Sequence, residues 1–364
     1  MGVWNRDRRQ RSGPGRICDP SGGPNIRTTR KAECSMITLT GGWGYYNMGD
    51  EALLAAYRKT LEGIDELRIA SVDPVRTARA HGLAEVDREA YFMRPAEGPV
   101  VVCGGGYLNG RWRPELPLKL RRLRRLSRHG VIGHALEMRR LDAPSISRSS
   151  RALFSGHPLA VRDTESAAQA ARLGLAADIV PDAIAMLAPH VGGLRKTVPQ
   201  VVGKYVLNLV DIAKRSDSSD SEVAPQEWLG FCKELISRIG SEAVAIVAGH
   251  ADREFARNFG IPLIEPSSVR SFISILGSAR AVLSVRMHPA LIASMLGVPT
   301  LAVPYNGKVS PTLGQIGIES IVLRSLDVDL AIQSLSSSED LSGAWSAAAE
   351  RSSSWLLSAV ERQL

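Results

Sequence analysis

The chain has 364 residues, 44% of them hydrophobic and 23% charged, and a formal net charge of +8, which suits two globular domains of ordinary size. No run of about 18 apolar residues is present, which excludes a transmembrane helix, and the start lacks the apolar centre of a secretory signal. The positive balance favours anionic partners such as phosphates or anionic lipid; nucleic acid is not expected, because no binding motif or basic–aromatic interleaving accompanies the charge.

Residues 1–35 read as a disordered basic leader, with eight Arg and Lys against three Asp and Glu, and Met36 is a candidate native start. Cys18, Cys34, Cys103 and Cys232 form no CxxC pair, a pattern that suits reduced thiols and a cytoplasmic location, with a peripheral place at the inner face of the membrane as the alternative, better than a disulfide or metal framework.

From Met36 onward short apolar runs alternate with helical stretches. In an expected first domain, 36–200, the strands are Ile37–Thr40, Leu67–Ser71, Val100–Cys103, Val131–Gly133, Leu159–Arg162 and Ile179–Val180. Helices are expected at Asp50–Leu61, Leu116–Arg128 and Thr164–Leu173, the last capped by Thr164 and stopped by Gly174. In the second, 201–335, the strand Tyr205–Val210 precedes a polar surface loop, Lys214–Glu222. Then come strands Ala243–Ala248, Ala281–Val285, Thr300–Val303 and Ile321–Leu323, with helices Val269–Ala279 and His288–Leu296. Residues 336–364 form a C-terminal helix anchored by Trp345, Trp355, Leu356 and Val360. The alternation specifies an α/β fold: two Rossmann-like domains facing across a cleft, with ligands at the carboxyl ends of parallel strands.

Four constellations stand at such ends. Gly41–Glu51 opens a helix after the first strand, where bare backbone and the helix N-terminus offer N–H groups to an anion; Asn47 and Asp50 are substrate-site candidates there, or serve as a turn residue and a cap. Gly104, Gly105 and Gly106 follow a buried strand, either to cradle a charged group or to let a neighbouring loop cross. Arg162 closes a strand and is suited to grip a carboxylate or phosphate, or to pair with Asp163. Arg286, His288 and Lys308 end two further strands and should converge, the imidazole as proton shuttle and the cations on anionic oxygens.

Taken in order, Asn47-Met48-Gly49-Asp50-Glu51-Ala52, the triple glycine, Val161-Arg162-Asp163 with Ser166, Pro181-Asp182, Arg286-Met287-His288-Pro289-Ala290, Gly297-Val298-Pro299 and Lys308-Val309 resemble the polysaccharide pyruvyl transferase family from about Met36 to Ile318. The resemblance implies a GT-B-like fold and transfer of the enolpyruvyl group of phosphoenolpyruvate onto a sugar of a polysaccharide or lipid-linked glycan, as a ketal, with release of phosphate. It implies His288, Lys308 and Arg286 as catalytic residues and Arg162, Asn47, Asp50, Gly104 and Gly105 as substrate-binding ones, with no cofactor or metal. Departures are Met287 for a family Leu or Tyr, Asn306-Gly307-Lys308 for Asp-Pro-Lys, and His134-Ala135 in place of a glycine- and proline-bearing turn, which bears on the acceptor pocket. A sugar-nucleotide glycosyltransferase and a non-catalytic anion-binding relative are the rival readings. The block Lys119, Arg121, Arg122, Arg124, Arg125 and Arg128 is read as a solvated face over Leu116, Leu120 and Leu123, or as a peripheral contact with anionic membrane.

Overall fold

Thirteen strands among the described residues make two parallel sheets in the computed structural model, which describes residues 36–89, 95–110, 114–215 and 223–364. Cys34–Leu364 gather into one compact unit. The leader with Cys18 and Cys34, and most of the polar loop Lys214–Glu222, lie outside the described residues.

The first sheet holds β1 (Met36–Thr40), β2 (Glu66–Ser71), β3 (Asp87–Arg88), β4 (Val100–Val102), β5 (Gly105–Asn109), β6 (Val131–Arg139), β7 (Leu159–Val161) and β8 (Asp178–Ile179). Its order is β3-β2-β1-β4-β6-β7-β8, with β5 paired beside β6. The second holds β9 (Tyr205–Asn208), β10 (Ala243–Ile246), β11 (Leu263–Ile264), β12 (Ala281–Ser284) and β13 (Thr300–Ala302), in the order β11-β10-β9-β12-β13. Runs such as Val100–Val102 and Ala281–Ser284 are buried along their whole length; strands covered on both faces need apolar residues in succession rather than alternation. The final expected strand, Ile321–Leu323, is instead a 3-10 turn at Glu319–Ile321 with a single bridge from Val322 to Ala302.

Leu116, Leu120, Leu123 and Leu126 of the helix Leu116–Leu126 repeat at helical spacing and pack with Ile146, Leu153 and Phe154 on one face of the first sheet. Burying each such leucine contributes roughly 1.5–3 kcal/mol. Arg121, Arg122, Arg124, Arg125 and Arg128 are exposed. Lys119 is not: it is buried, with its ammonium 2.8 Å from Glu89 and 2.9 Å from the Tyr45 hydroxyl. The expected cationic face therefore loses one member, because a buried ammonium requires a paired carboxylate.

Strand β6 runs six residues past the expected Gly133. Where the resemblance places a turn, the chain makes a bulge: Ala135 takes φ 51° and the pairing shifts between Gly133 and Leu136. His134 is thereby fully buried in the core. The Tyr57 hydroxyl lies 2.8 Å from His134 Nδ1, and His134 Nε2 donates to the Ser352 carbonyl at 3.1 Å. Trp355 stacks on the ring at 5.6 Å. Ser352 and Trp355 belong to the terminal helix Ser342–Glu361, which returns to pack on the first sheet. Among the described residues no helix is long and apolar enough to cross a membrane.

Burial lowers the His134 imidazole from 6.5 to about 4. Since the unfolded chain binds this proton first, the contribution is fully present above pH 6.5 and is lost as pH falls toward 4, by roughly 3 kcal/mol at most. Urea unfolding at pH 7 and pH 4.5 is expected to show this loss, and His134→Gln should flatten it.

Candidate functional site

A cavity of about 140 Å³ gathers Asn47, Asp50, Gly106, Glu137 and Arg162 from the first half with Arg215, Arg286, His288, Tyr305 and Lys308 from the second. The halves meet here through backbone as well. Met48 donates its N–H to the Ala248 carbonyl at 2.8 Å, and Asn47 bridges Gly249 in antiparallel fashion.

The first wall starts at the helix Met48–Thr60. Its cap is Asn47, whose side-chain oxygen accepts from the Gly49 N–H at 3.1 Å, so the helix begins two residues before the expected Asp50. Asp50 lies in the first turn and accepts from Asn47 Nδ2 at 2.8 Å. Buried Glu51 fastens the preceding loop, accepting from the Gly44 N–H at 2.9 Å.

The glycine run divides. Gly104 and Gly105 lie behind the cavity: a Cβ on Gly104 would meet the Ala135 carbonyl oxygen at 2.7 Å, and Gly105 takes φ +94° as β5 begins. The Gly104 N–H donates to the Tyr57 hydroxyl at 2.8 Å. Both let β5 pack closely against β6. Gly106, the third of the run, lines the cavity.

Arg162, after β7, is 2% exposed and held on both sides: it pairs with Glu137 of β6 and, at 3.0 Å, with Asp182. Burial works against its charge, but Glu137, Asp182 and Asp163 overcome that and hold the guanidinium above its usual value. Its two terminal nitrogens are thus engaged by protein carboxylates, and the residue itself lines the cavity. Asp163 caps the following helix, accepting from the Ser166 N–H at 2.7 Å, in place of the expected Thr164.

Asp182 connects the walls. Its Oδ1 lies 3.6 Å from His288 Nε2, an ion-pair separation slightly long for a hydrogen bond. Burial would raise this carboxyl; contact with His288, then the charge of Arg162 and the Ile184 N–H, hold it well below the usual carboxylate range. His288 sits in the first turn of the helix Met287–Met295, against Gly49, where an added Cβ would come within 2.5 Å of the ring. Arg286, just before that helix, meets Asp252 through Nε at 2.8 Å and through its terminal nitrogen at 2.7 Å. Asp252 also accepts from Asn208 Nδ2 at 2.9 Å and the Gly249 N–H at 2.9 Å. Lys308 reaches across to Glu137 at 3.9 Å, and buried Asn306, standing where the family has Asp, turns its oxygen to the Lys308 N–H at 3.4 Å. Arg215 lies over the Tyr305 ring at 4.8 Å.

Charge is layered. Side-chain exposure is 20% for Lys308, 18% for Arg286 and 11% for His288, against 0–1% for Glu137, Asp182 and Asp252. The cleft therefore presents Arg286 and Lys308 to an incoming molecule beside the partly exposed Asp50, with Glu137, Asp182 and Asp252 beneath them. Glu137, Asp252 and Arg215 are additions to the sequence reading. Among the described residues, no group of three His, Cys, Asp or Glu is arranged to hold a metal ion.

The polysaccharide pyruvyl transferase family model matches residues 47–307, well over half of the chain. No curated protein matches. Of solved structures, UDP-GlcNAc 2-epimerase from Methanocaldococcus jannaschii, in complex with UDP-GlcNAc and UDP, is 13% identical, with 89% of this chain and 99% of that one covered at a TM-score of 0.54. The Neisseria meningitidis UDP-GlcNAc 2-epimerase bound to UDP-GlcNAc is 10% identical, with 90% and 99% covered at 0.52. At these identities the likeness is one of fold, the two-domain Rossmann-like arrangement of GT-B enzymes.

Removing one partner of a buried pair costs about 3–5 kcal/mol, whereas an exposed pair is worth about 1 kcal/mol or less. Asp252→Ala is thus expected to lower the denaturation midpoint strongly, and Arg253→Ala, which breaks an exposed pair with Glu265, hardly at all; urea melts of both variants compare the two.

Proposed function

The chain belongs to the polysaccharide pyruvyl transferase family, and from that premise we propose that its cleft binds phosphoenolpyruvate and forms a pyruvate ketal on a sugar of a polysaccharide or lipid-linked precursor. The observation that carries this reading is the meeting of Arg286, His288 and Lys308 with the Arg162–Asp182 pair in one small cavity. A carboxylate and a phosphate on one three-carbon donor need two cationic contacts close together. Arg286 and Lys308 are the outward-facing pair, and Arg286 has its fork fixed from behind by Asp252.

In this reading His288, as imidazolium, gives its proton to the methylene carbon, and positive charge develops at the central carbon. Ionised Asp182 orients the ring. One sugar hydroxyl adds at the central carbon and loses its proton; the second displaces the phosphate. Two carbon–oxygen bonds to sugar form and the one to phosphate breaks, with one hydroxyl proton ending on the new methyl group and the other on phosphate. Arg162, on the wall of the same cavity, keeps Asp182 and Glu137 in place and adds its positive charge to the donor site. Preorganised charge supplies most of the effect.

Phosphate release that requires both phosphoenolpyruvate and a glycan acceptor is the test, and release of uridine diphosphate from a nucleotide sugar instead would overturn the reading. His288→Ala is expected to cut kcat by 10²-fold or more, a typical loss for a general acid, while KM for phosphoenolpyruvate stays within a few-fold. Gly49→Ala, whose methyl group would press on the imidazole, should reproduce much of that loss without entering the cavity.

The exposed face of Arg121, Arg122 and Arg125 beside Leu118 is proposed to rest on anionic lipid or the phosphate of a lipid-linked acceptor. Changing the three arginines to Gln is expected to abolish co-sedimentation with phosphatidylglycerol vesicles; unchanged sedimentation would remove this contact.

A further inference from the structure

A second and larger cavity, of about 640 Å³, lies away from these residues. Its walls are the later turns of the helix Met48–Thr60, strand β2, the helix Pro74–His81 and the start of the helix Val269–Ser278. Volume in this range suits a small organic molecule.

Its lining has two characters. Leu67, Ile69, Leu83 and Val269 give an apolar side, and on the polar side Arg58, Lys59, Arg79 and Arg270 outnumber Glu62 and Asp65. Among the described residues no carboxylate pairs with Arg58 or Arg79; Glu62, whose charge Arg58 feels, is already joined to Lys59 at 2.8 Å. Arg58 is half-buried, and burial pulls its guanidinium below the usual value against the influence of Glu62. A cation partly withdrawn from water without a bound carboxylate is stabilised by an anion from solution. The apolar side would exclude water from that anion and strengthen the pairing.

The cavity also touches the loop that leads to the cleft. His81 lines it, and its Nε2 lies 3.1 Å from Glu51 Oε2. The other oxygen of Glu51 holds the Gly44 N–H at 2.9 Å, three residues before Asn47. Fixing the His81 side of the cavity therefore fixes the support of that loop.

We propose that this cavity is a second ligand site, for an organic anion that carries a phosphate or sulfonate beside an apolar ring or chain, and that its occupant braces the loop bearing Asn47. The site is separate from the cleft, so its test does not depend on the chemistry assigned there.

The probe is 8-anilinonaphthalene-1-sulfonate, titrated by fluorescence into the full chain, with its neutral relative N-phenyl-1-naphthylamine as control. Saturable binding of the sulfonate is expected, weakened at least tenfold in the Arg58→Gln, Arg79→Gln double variant and unchanged in Arg286→Gln. Circular dichroism checks that the variants are folded. Slower hydrogen–deuterium exchange at residues 41–47 on addition of the probe is also expected. Wild-type affinity in the double variant, loss of binding in Arg286→Gln, equal affinity for the neutral probe, or unaltered exchange in the loop would each overturn the proposal.

Discussion

A chain of buried charge crosses the join between the two halves: Glu137 to Arg162, Arg162 to Asp182, Asp182 to His288. None of these groups can be left alone at its depth, because an unpaired buried ion costs several kcal/mol. Glu137, Arg162 and Asp182 come from three neighbouring places on the first sheet, while His288 comes from the second half. Satisfying the carboxylate at Asp182 thus brings the imidazole to one place and no other. The positions of Arg286 and Lys308 follow the same logic, since Asp252 and Glu137 lie beneath them. The cations of the cleft are held outward because the buried acids Asp252 and Glu137 support them from behind.

Glycine sets the complementary constraint. At Gly49 and Gly249 any side chain would enter the space of His288 and Arg286. These two glycines flank the backbone contacts between the halves, Met48 to Ala248 and Asn47 to Gly249. The walls can approach closely only where Cβ atoms are missing, so the join and the site have a shared steric requirement.

Much of this was legible because each marked residue follows an apolar run. Arg162 directly follows β7, Arg286 and His288 lie in the turn and helix start after β12, and Lys308 lies in the loop after β13; the strands themselves read cleanly from buried runs such as Val100–Val102. What escaped depends on distance in the chain. Asp252 opens a six-residue helix, Asp252–Arg257, too short to give a periodic signal, and its meaning comes from Arg286, 34 positions later. Glu137 lies in the part of β6 beyond Gly133, where a bulge and the polar His134 interrupt the apolar run that marks a strand. Sequence pattern also reports where Arg162 stands but not what engages it; the two carboxylates that hold it lie 25 residues before it and 20 after it.

The terminal helix extends the dependence to the far end of the chain. Ser352 and Trp355 clamp His134 from one side, and Tyr57 holds it from the other. His134 sits at the bulge of β6, three residues before Glu137, and Tyr57 also anchors the Gly104 turn. A bulge leaves backbone unpaired and redirects the side chains that follow. With the imidazole fixed at the bulge, Glu137 returns to the cleft side of the sheet and meets Arg162. The position of Arg162, and through Asp182 that of His288, therefore rests on packing contributed by the last helix, well outside the residues that line the cavity.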